Sequence, residues 1–193
     1  MKGPLGLNLL YSPAAPEIDF IFVHGLGGNS RKTWSKSRFW PEEWLPKDPV
    51  FKNVRIHSYG YDSYHLKGKE DCLNVHHIGK SFLRAISTSP CIVSSSTTIV
   101  VIGHSMGGLV MKKAYILAKQ DAAHKELAGR FGAFYFLATP HRGADSAKQL
   151  KNLLRVVYDR AYVGDLEPNS GAVQVINDEF SAFFNKPGAL VVL

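Results

Sequence analysis

The sequence predicts an α/β fold: a mostly parallel sheet with helices on both faces. Three observations carry that reading. Four short apolar runs, residues 18–23, 54–59, 98–102 and 131–138, are separated by stretches long enough to hold helices. The run at 98–102 is apolar and β-branched almost throughout, which suits a strand buried on both faces of a parallel sheet. Strand and helix signals alternate along the chain, the pattern of crossover units in which parallel strands are joined by helices.

Taken in order, residues 5–11 read as an outer strand closed by the turn from Ser12 to Pro16. The run at 18–23 follows, then the glycine-rich stretch His24-Gly25-Leu26-Gly27-Gly28. Trp34, Trp40 and Trp44 occur in a proline-containing stretch expected to pack over the sheet, with an acyl pocket as their other use. After the second run, Val75, Ile78, Phe82 and Ile86 recur at helical spacing. His76 and His77 on that helix read as ordinary surface or half-buried residues, and Asp62 before it as a turn or cap residue. Val110, Ala114, Leu117 and Ala118 mark the helix after the third run. Beyond the fourth run two more helices are expected. Leu150, Leu153, Leu154 and Val157 mark one, and Val173, Ile176, Phe180, Phe183 and Phe184 the other, with Pro168, Asn169 and Gly171 between them. No composition shift marks a domain boundary, so residues 1–193 are expected to form a single domain.

Composition bounds the function classes. The chain has 193 residues, enough for one core, with 45% hydrophobic and 20% charged residues, which excludes a disordered chain. No apolar run approaches the roughly 20 residues of a spanning helix, and residues 2–11 are too short and broken for a secretory signal. Cys72 and Cys91 read as reduced thiols, which points to an intracellular protein, and neither has the neighbours of a metal site. No metal or organic cofactor is suggested. The formal charge is +7, and residues 31–69 hold nine Lys/Arg against four Asp/Glu. These residues are scattered and no nucleic-acid motif accompanies them, so a solvated basic surface is the first reading and contact with an anionic membrane the second.

The chemistry lies in three segments. Gly103-His104-Ser105-Met106-Gly107 is a G-x-S-x-G pentapeptide, preceded by a buried-type strand and followed by an amphipathic helix. That strand-turn-helix setting is the one a nucleophile elbow requires, with the serine hydroxyl raised above the sheet edge. An idle serine in a glycine-rich turn is the plainer alternative. Second, the His24–Gly28 stretch sits where an oxyanion loop belongs. One donor would be the backbone N–H of Met106, after the nucleophile, and the other that of Leu26. His24 reads as a brace for this loop rather than a proton carrier. Third, Thr139-Pro140-His141-Arg142-Gly143 closes the fourth run on the same side of the sheet. His141 is read first as a structural or substrate-contacting residue and second as a base.

The runs FIFVHGLGGNSRKTW, VRIHSYGYDS, VVIGHSMGGLVMKKA and FLATPHRGAD occur in this order. Together they resemble the serine esterase/lipase family of the α/β-hydrolase superfamily, over residues 5–180. Similar proteins are the GPI inositol-deacylases, the "serine active site-containing" proteins of mitochondrion–ER contacts, and the N-terminal domains of fungal NOD-like receptors. The resemblance implies the α/β-hydrolase fold and cleavage of ester or lipid substrates by Ser105, with Leu26 and Met106 as oxyanion donors. It also implies a place in the cytoplasm or at the surface of mitochondrion or endoplasmic reticulum, and downstream domains in longer relatives.

One departure stands out. In this fold the catalytic acid and histidine follow later strands. No histidine follows His141, and residues 189–193 read as the beginning of a further strand. The expectation is a shortened α/β-hydrolase domain lacking its last strands, with the usual acid and base missing. His141 paired with Asp145 or Asp62 is the substitute relay. A domain without activity that binds a lipid or protein partner is the alternative to an active esterase.

Overall fold

The computed structural model describes residues 3–63, 71–141, 171–184 and 190–192. Its sheet has six strands: β1 (Gly6–Tyr11), β2 (Ile18–Val23), β3 (Val54–Gly60), β4 (Thr98–His104), β5 (Phe131–Leu137) and β6 (Leu190–Val192). Their order across the sheet is β1-β3-β2-β4-β5-β6. β1 pairs antiparallel with β3, and every other pairing is parallel. This is the α/β arrangement predicted, with the outer strand at one edge and the run near residue 190 paired to β5.

Alternation along the strands divides the core. On β2, Ile21 and Val23 face one side and Phe22 the other. The first side is covered by α1 (Asp71–Ser87), α2 (Met106–Gln120) and α3 (Gly171–Phe183). Val75, Phe82, Leu83 and Ile86 form the inward stripe of α1, at the spacing read from sequence. α2 is the central helix, with Leu109, Val110, Met111, Ala114, Tyr115, Ile116 and Ala118 all buried. Tyr115 gathers Phe131, Phe134, Phe180 and Phe184 in edge-to-face contacts at centroid distances of 5.3–5.7 Å, which fixes α3 against β5.

On the second face, the described residues that pack against the sheet are short turns of helix between Lys32 and Phe51, each three or four residues long. Prolines at the first turns of three of them suit helix starts but not long helices. Trp34 and Trp40 pack edge-on against Phe22 at 5.1 and 5.2 Å, as core residues. Trp44 does not, for it lies 55% exposed at the outer side of its turn. The helix expected around residues 150–157 lies outside the described residues. No described helix is long and apolar enough to cross a membrane.

The chain runs from β2 outward to β3, then returns to β4 on the other side of β2. This reversal makes the carboxyl ends of β2 and β4 a topological switch point, where ligands bind in open α/β sheets. Val23 is level with Gly103, and His104 with Leu137, so the three motif segments leave the sheet at one rim.

Candidate active site

Ser105 stands between β4 and α2 with φ 54° and ψ −123°, a backbone conformation few non-glycine residues adopt. Its surroundings hold it there. Its N–H donates to the Leu137 carbonyl at 2.8 Å, and its own carbonyl accepts the Gly108 N–H at 3.0 Å. The glycines flanking it have steric reasons. A Cβ at Gly103 would come within 2.8 Å of the Gly108 Cα, and one at Gly107 would press into the carbonyl oxygens of Val23 and His24. Ser105 is 3% exposed, and its Oγ has no hydrogen-bond partner among the described residues. His104 beside it is half-buried and edge-on to Trp34 at 6.4 Å, and burial lowers its pKa.

The loop after β2 presses against this turn. A Cβ on Gly25 would meet the Ser105 Cβ at 2.8 Å, so only glycine lets the loop approach so closely. Gly27 takes a left-handed φ of 68°, which turns the loop back. Its main anchor is His24, fully buried. The His24 Nε2 accepts the Tyr61 N–H at 3.1 Å, so the proton of the neutral ring sits on Nδ1 and is donated to the Gly25 carbonyl at 2.8 Å. The Tyr61 hydroxyl donates to the His24 carbonyl at 2.8 Å, its ring stacks on the imidazole, and Ser63 Oγ donates to the Gly28 carbonyl. Burial pushes the His24 pKa down to about 4, so it holds the loop as a neutral imidazole at neutral pH. Leu26 and Met106 are both buried in the same apolar cluster, and neither backbone N–H has an acceptor among the described residues.

The loop after β5 closes the rim. Ala138 has φ 50°, and the Thr139 side chain packs on Gly108. His141 follows, edge-on to Phe136 at 5.0 Å. Its Nδ1 accepts from the Lys112 ammonium at 2.9 Å, and Lys112 also donates to Asn177 Oδ1 at 2.6 Å. Burial, then the charge of Lys112, lowers the His141 pKa to about 4. With Nδ1 accepting from Lys112, the proton of the neutral ring is on Nε2. The contact suits the structural reading of His141 ahead of the base reading. Asp62 is exposed, and Asp145, Arg142 and Gly143 lie outside the described residues.

A second polar cluster was not foreseen from the sequence. At the opposite edge of the sheet, buried Asp19 accepts from Arg55 Nε at 2.6 Å and Nη2 at 2.9 Å, from His57 Nε2 at 2.8 Å, and from Thr97 Oγ1. Arg130 Nη2 lies 3.9 Å away. The alternation of charged and apolar residues in Arg55-Ile56-His57 and in Asp19-Phe20 was the available signal. Among the described residues, no group of three or more His, Cys, Asp or Glu side chains is arranged as metal ligands would be.

Residues 19–161 match the family described as "Putative serine esterase (DUF676)". The chain is similar to Protein SERAC1 of Mus musculus, 26% identical over 186 residues, which cover 86% of this chain and 28% of that protein. The Homo sapiens Protein SERAC1 is 26% identical over 201 residues, covering 92% of this chain and 30% of that one. The chain thus spans less than a third of the length of these relatives. In fold it is similar to Bacillus licheniformis lipase BlEst2 in mature form, with a TM-score of 0.61 and 17% identity, covering 97% of this chain and 69% of that one.

Proposed function

The chain belongs to this serine esterase family, with the α/β-hydrolase fold, and from that premise we propose that it cleaves a lipid carboxylic ester through an acyl-Ser105 intermediate. The backbone of Ser105 carries the reading: a strained turn, held by the Leu137 carbonyl, presents a hydroxyl that has no hydrogen-bond partner among the described residues. In the first step Oγ adds to the ester carbonyl carbon while its proton leaves for a base. The carbonyl oxygen becomes an oxyanion facing the N–H groups of Leu26 and Met106. Collapse breaks the ester C–O bond, the proton taken from Oγ passes to the leaving alkoxide so that it departs as the alcohol, and water then hydrolyses the acyl-serine to the acid and free Ser105. Each oxyanion donor is worth about 2.7–4 kcal/mol of barrier in enzymes of this kind.

The test is labelling by a fluorophosphonate probe, read by intact mass, on the 193-residue protein and its Ser105→Ala variant. The reading predicts one adduct on the protein and none on the variant. Equal labelling of both would overturn it. A second reading, a hydrolase-like domain that binds a lipid or protein without turning it over, is favoured by the pairing of His141 Nδ1 with Lys112. A folded protein that takes no label and turns over no ester would put this second reading first.

A further inference from the structure

We propose that the groove between the later turns of α1 and α2 is a binding site for a phosphate monoester, separate from Ser105. The groove encloses about 580 Å³, with Leu83 and Leu117 as its floor and His76, Lys80, Arg84 and His124 on its walls. His76, Lys80 and Arg84 follow at four-residue spacing, so they form a single stripe on α1. Like charges at that spacing destabilise a helix by a few tenths of a kcal/mol per pair. Lys80 and Arg84 have no ion pair or side-chain hydrogen bond among the described residues, and Arg84 lies in the last turn of α1, where the helix dipole offsets part of that cost.

The cations are not used to cap helix ends. The Arg84 carbonyl already accepts from Ser87 Oγ and Thr88 Oγ1, and the Leu117 carbonyl accepts the Asp121 N–H. Asp121 is the one acidic residue lining the groove, and its carboxylate is taken up by the Ala123 N–H and by His124 Nδ1. The site thus offers two permanent cations and two imidazoles against one engaged carboxylate. A phosphate monoester, with a charge of about −1.5 to −2 at neutral pH, matches that balance better than a monoanion. The stripe from His76 to Arg84 is about 12 Å long, more than one phosphate covers, so the body of the ester would lie on Leu83 and Leu117. Ser105 stands at the other end of α2, roughly 20 Å along the helix axis from the groove, which keeps this inference independent of the esterase reading.

The probes are phenyl phosphate as the soluble source and phosphatidylcholine vesicles with and without phosphatidic acid as the lipid source. Titration calorimetry and vesicle sedimentation read the binding. Saturable binding of at least one probe is expected, with amide shifts in the wild-type protein confined to residues 76–87 and 117–124. The Lys80→Glu/Arg84→Glu variant should bind about tenfold or more weakly, while Lys32→Glu/Lys36→Glu, with the same charge change, should bind as wild type. Binding of phenyl phosphate assigns a soluble ligand, and binding only to phosphatidic acid vesicles a headgroup. No saturable binding of either, shifts spread over the surface, or equal loss in both variants would overturn the proposal.

Discussion

Replacing Asp19 by asparagine tests how the sheet edge opposite Ser105 is held. The carboxylate is fully buried and accepts from Arg55, His57 and Thr97, with Arg130 close by. The amide would keep the volume and remove the charge, leaving the buried Arg55 guanidinium without its counterion. Stranding one partner of a buried ion pair costs about 3–5 kcal/mol, a large share of the roughly 5–15 kcal/mol that holds a domain folded. For a chain of this size, each kcal/mol moves Tm by about 2–4 °C, so circular dichroism should show a fall of about 6–20 °C at pH 7. Asp121→Asn, on an exposed turn, should leave Tm unchanged. The pH dependence supplies a sign. Burial by itself would raise the Asp19 pKa, but the hydrogen bonds from His57, Arg55 and Thr97 outweigh it and hold the carboxyl well below the usual range. A depressed folded pKa contributes stability that is present above the unfolded value of about 3.9 and lost as pH falls through the folded one. The gap between wild type and Asp19→Asn should therefore narrow below about pH 4. A fall of less than about 3 °C at pH 7, or a gap that widens in acid, would refute the reasoning.

Three further outcomes follow from packing. Trp34→Ala should cost about 3–5 kcal/mol in urea unfolding, because the ring is buried against Phe22 and Trp40, whereas Trp44→Ala should stay within about 0.5 kcal/mol. His24→Ala leaves the Tyr61 N–H without its acceptor, so it should cost about 1–3 kcal/mol and slow fluorophosphonate labelling of Ser105. A destabilised variant labelled at the wild-type rate would separate the loop from reactivity. Gly107→Ala puts a methyl into the Val23 and His24 carbonyls, and should lower Tm by several degrees and abolish labelling while leaving the far-UV spectrum native.

The fold was legible because its strands are fully buried. A parallel strand with apolar neighbours on both faces leaves a run such as Ile99-Val100-Val101-Ile102, and the turn after it admits few residues besides glycine. Helical spacing placed α1 and α3 because each buries one dominant stripe, whereas α2 is buried on most of its circumference. The stretch between Trp34 and Phe51 was less legible, since three- and four-residue turns leave no period to count, and Trp44 shares its composition with Trp34 but not its burial. The Asp19 cluster was hidden because its other members lie 36 to 111 residues from Asp19 in sequence and meet it only when β2, β3 and the chain leading into β4 and β5 are aligned. The pairing of His141 with Lys112 was hidden likewise, since a lysine in an otherwise apolar helix reads as solvent-facing until α3 and the loop after β5 cover it.

That last contact bears on the chemistry more than any motif. A histidine that serves as base to a serine donates from Nδ1 to an acceptor, usually a carboxylate, and so keeps a lone pair on Nε2 for the incoming proton. At His141 a cation donates to Nδ1 instead, which puts the proton of the neutral ring on Nε2. Reversing it would require Lys112 to withdraw from Nδ1 and an acceptor to replace it. Yet Lys112 is 4% exposed and bound to Asn177, with Phe136 and Phe180 rings 4.5 and 5.4 Å away. Under the proposed esterase reading, the elbow and the oxyanion amides are thus separable from proton transfer. A serine with oxyanion donors but no base keeps the part of catalysis that oxyanion stabilisation supplies and lacks the several orders of magnitude that a base adds. Measured ester turnover should tell which condition holds. A rate typical of a complete serine hydrolase requires a proton acceptor other than His141 at Ser105 Oγ, and a rate lower by several orders of magnitude fits the elbow and amides acting alone.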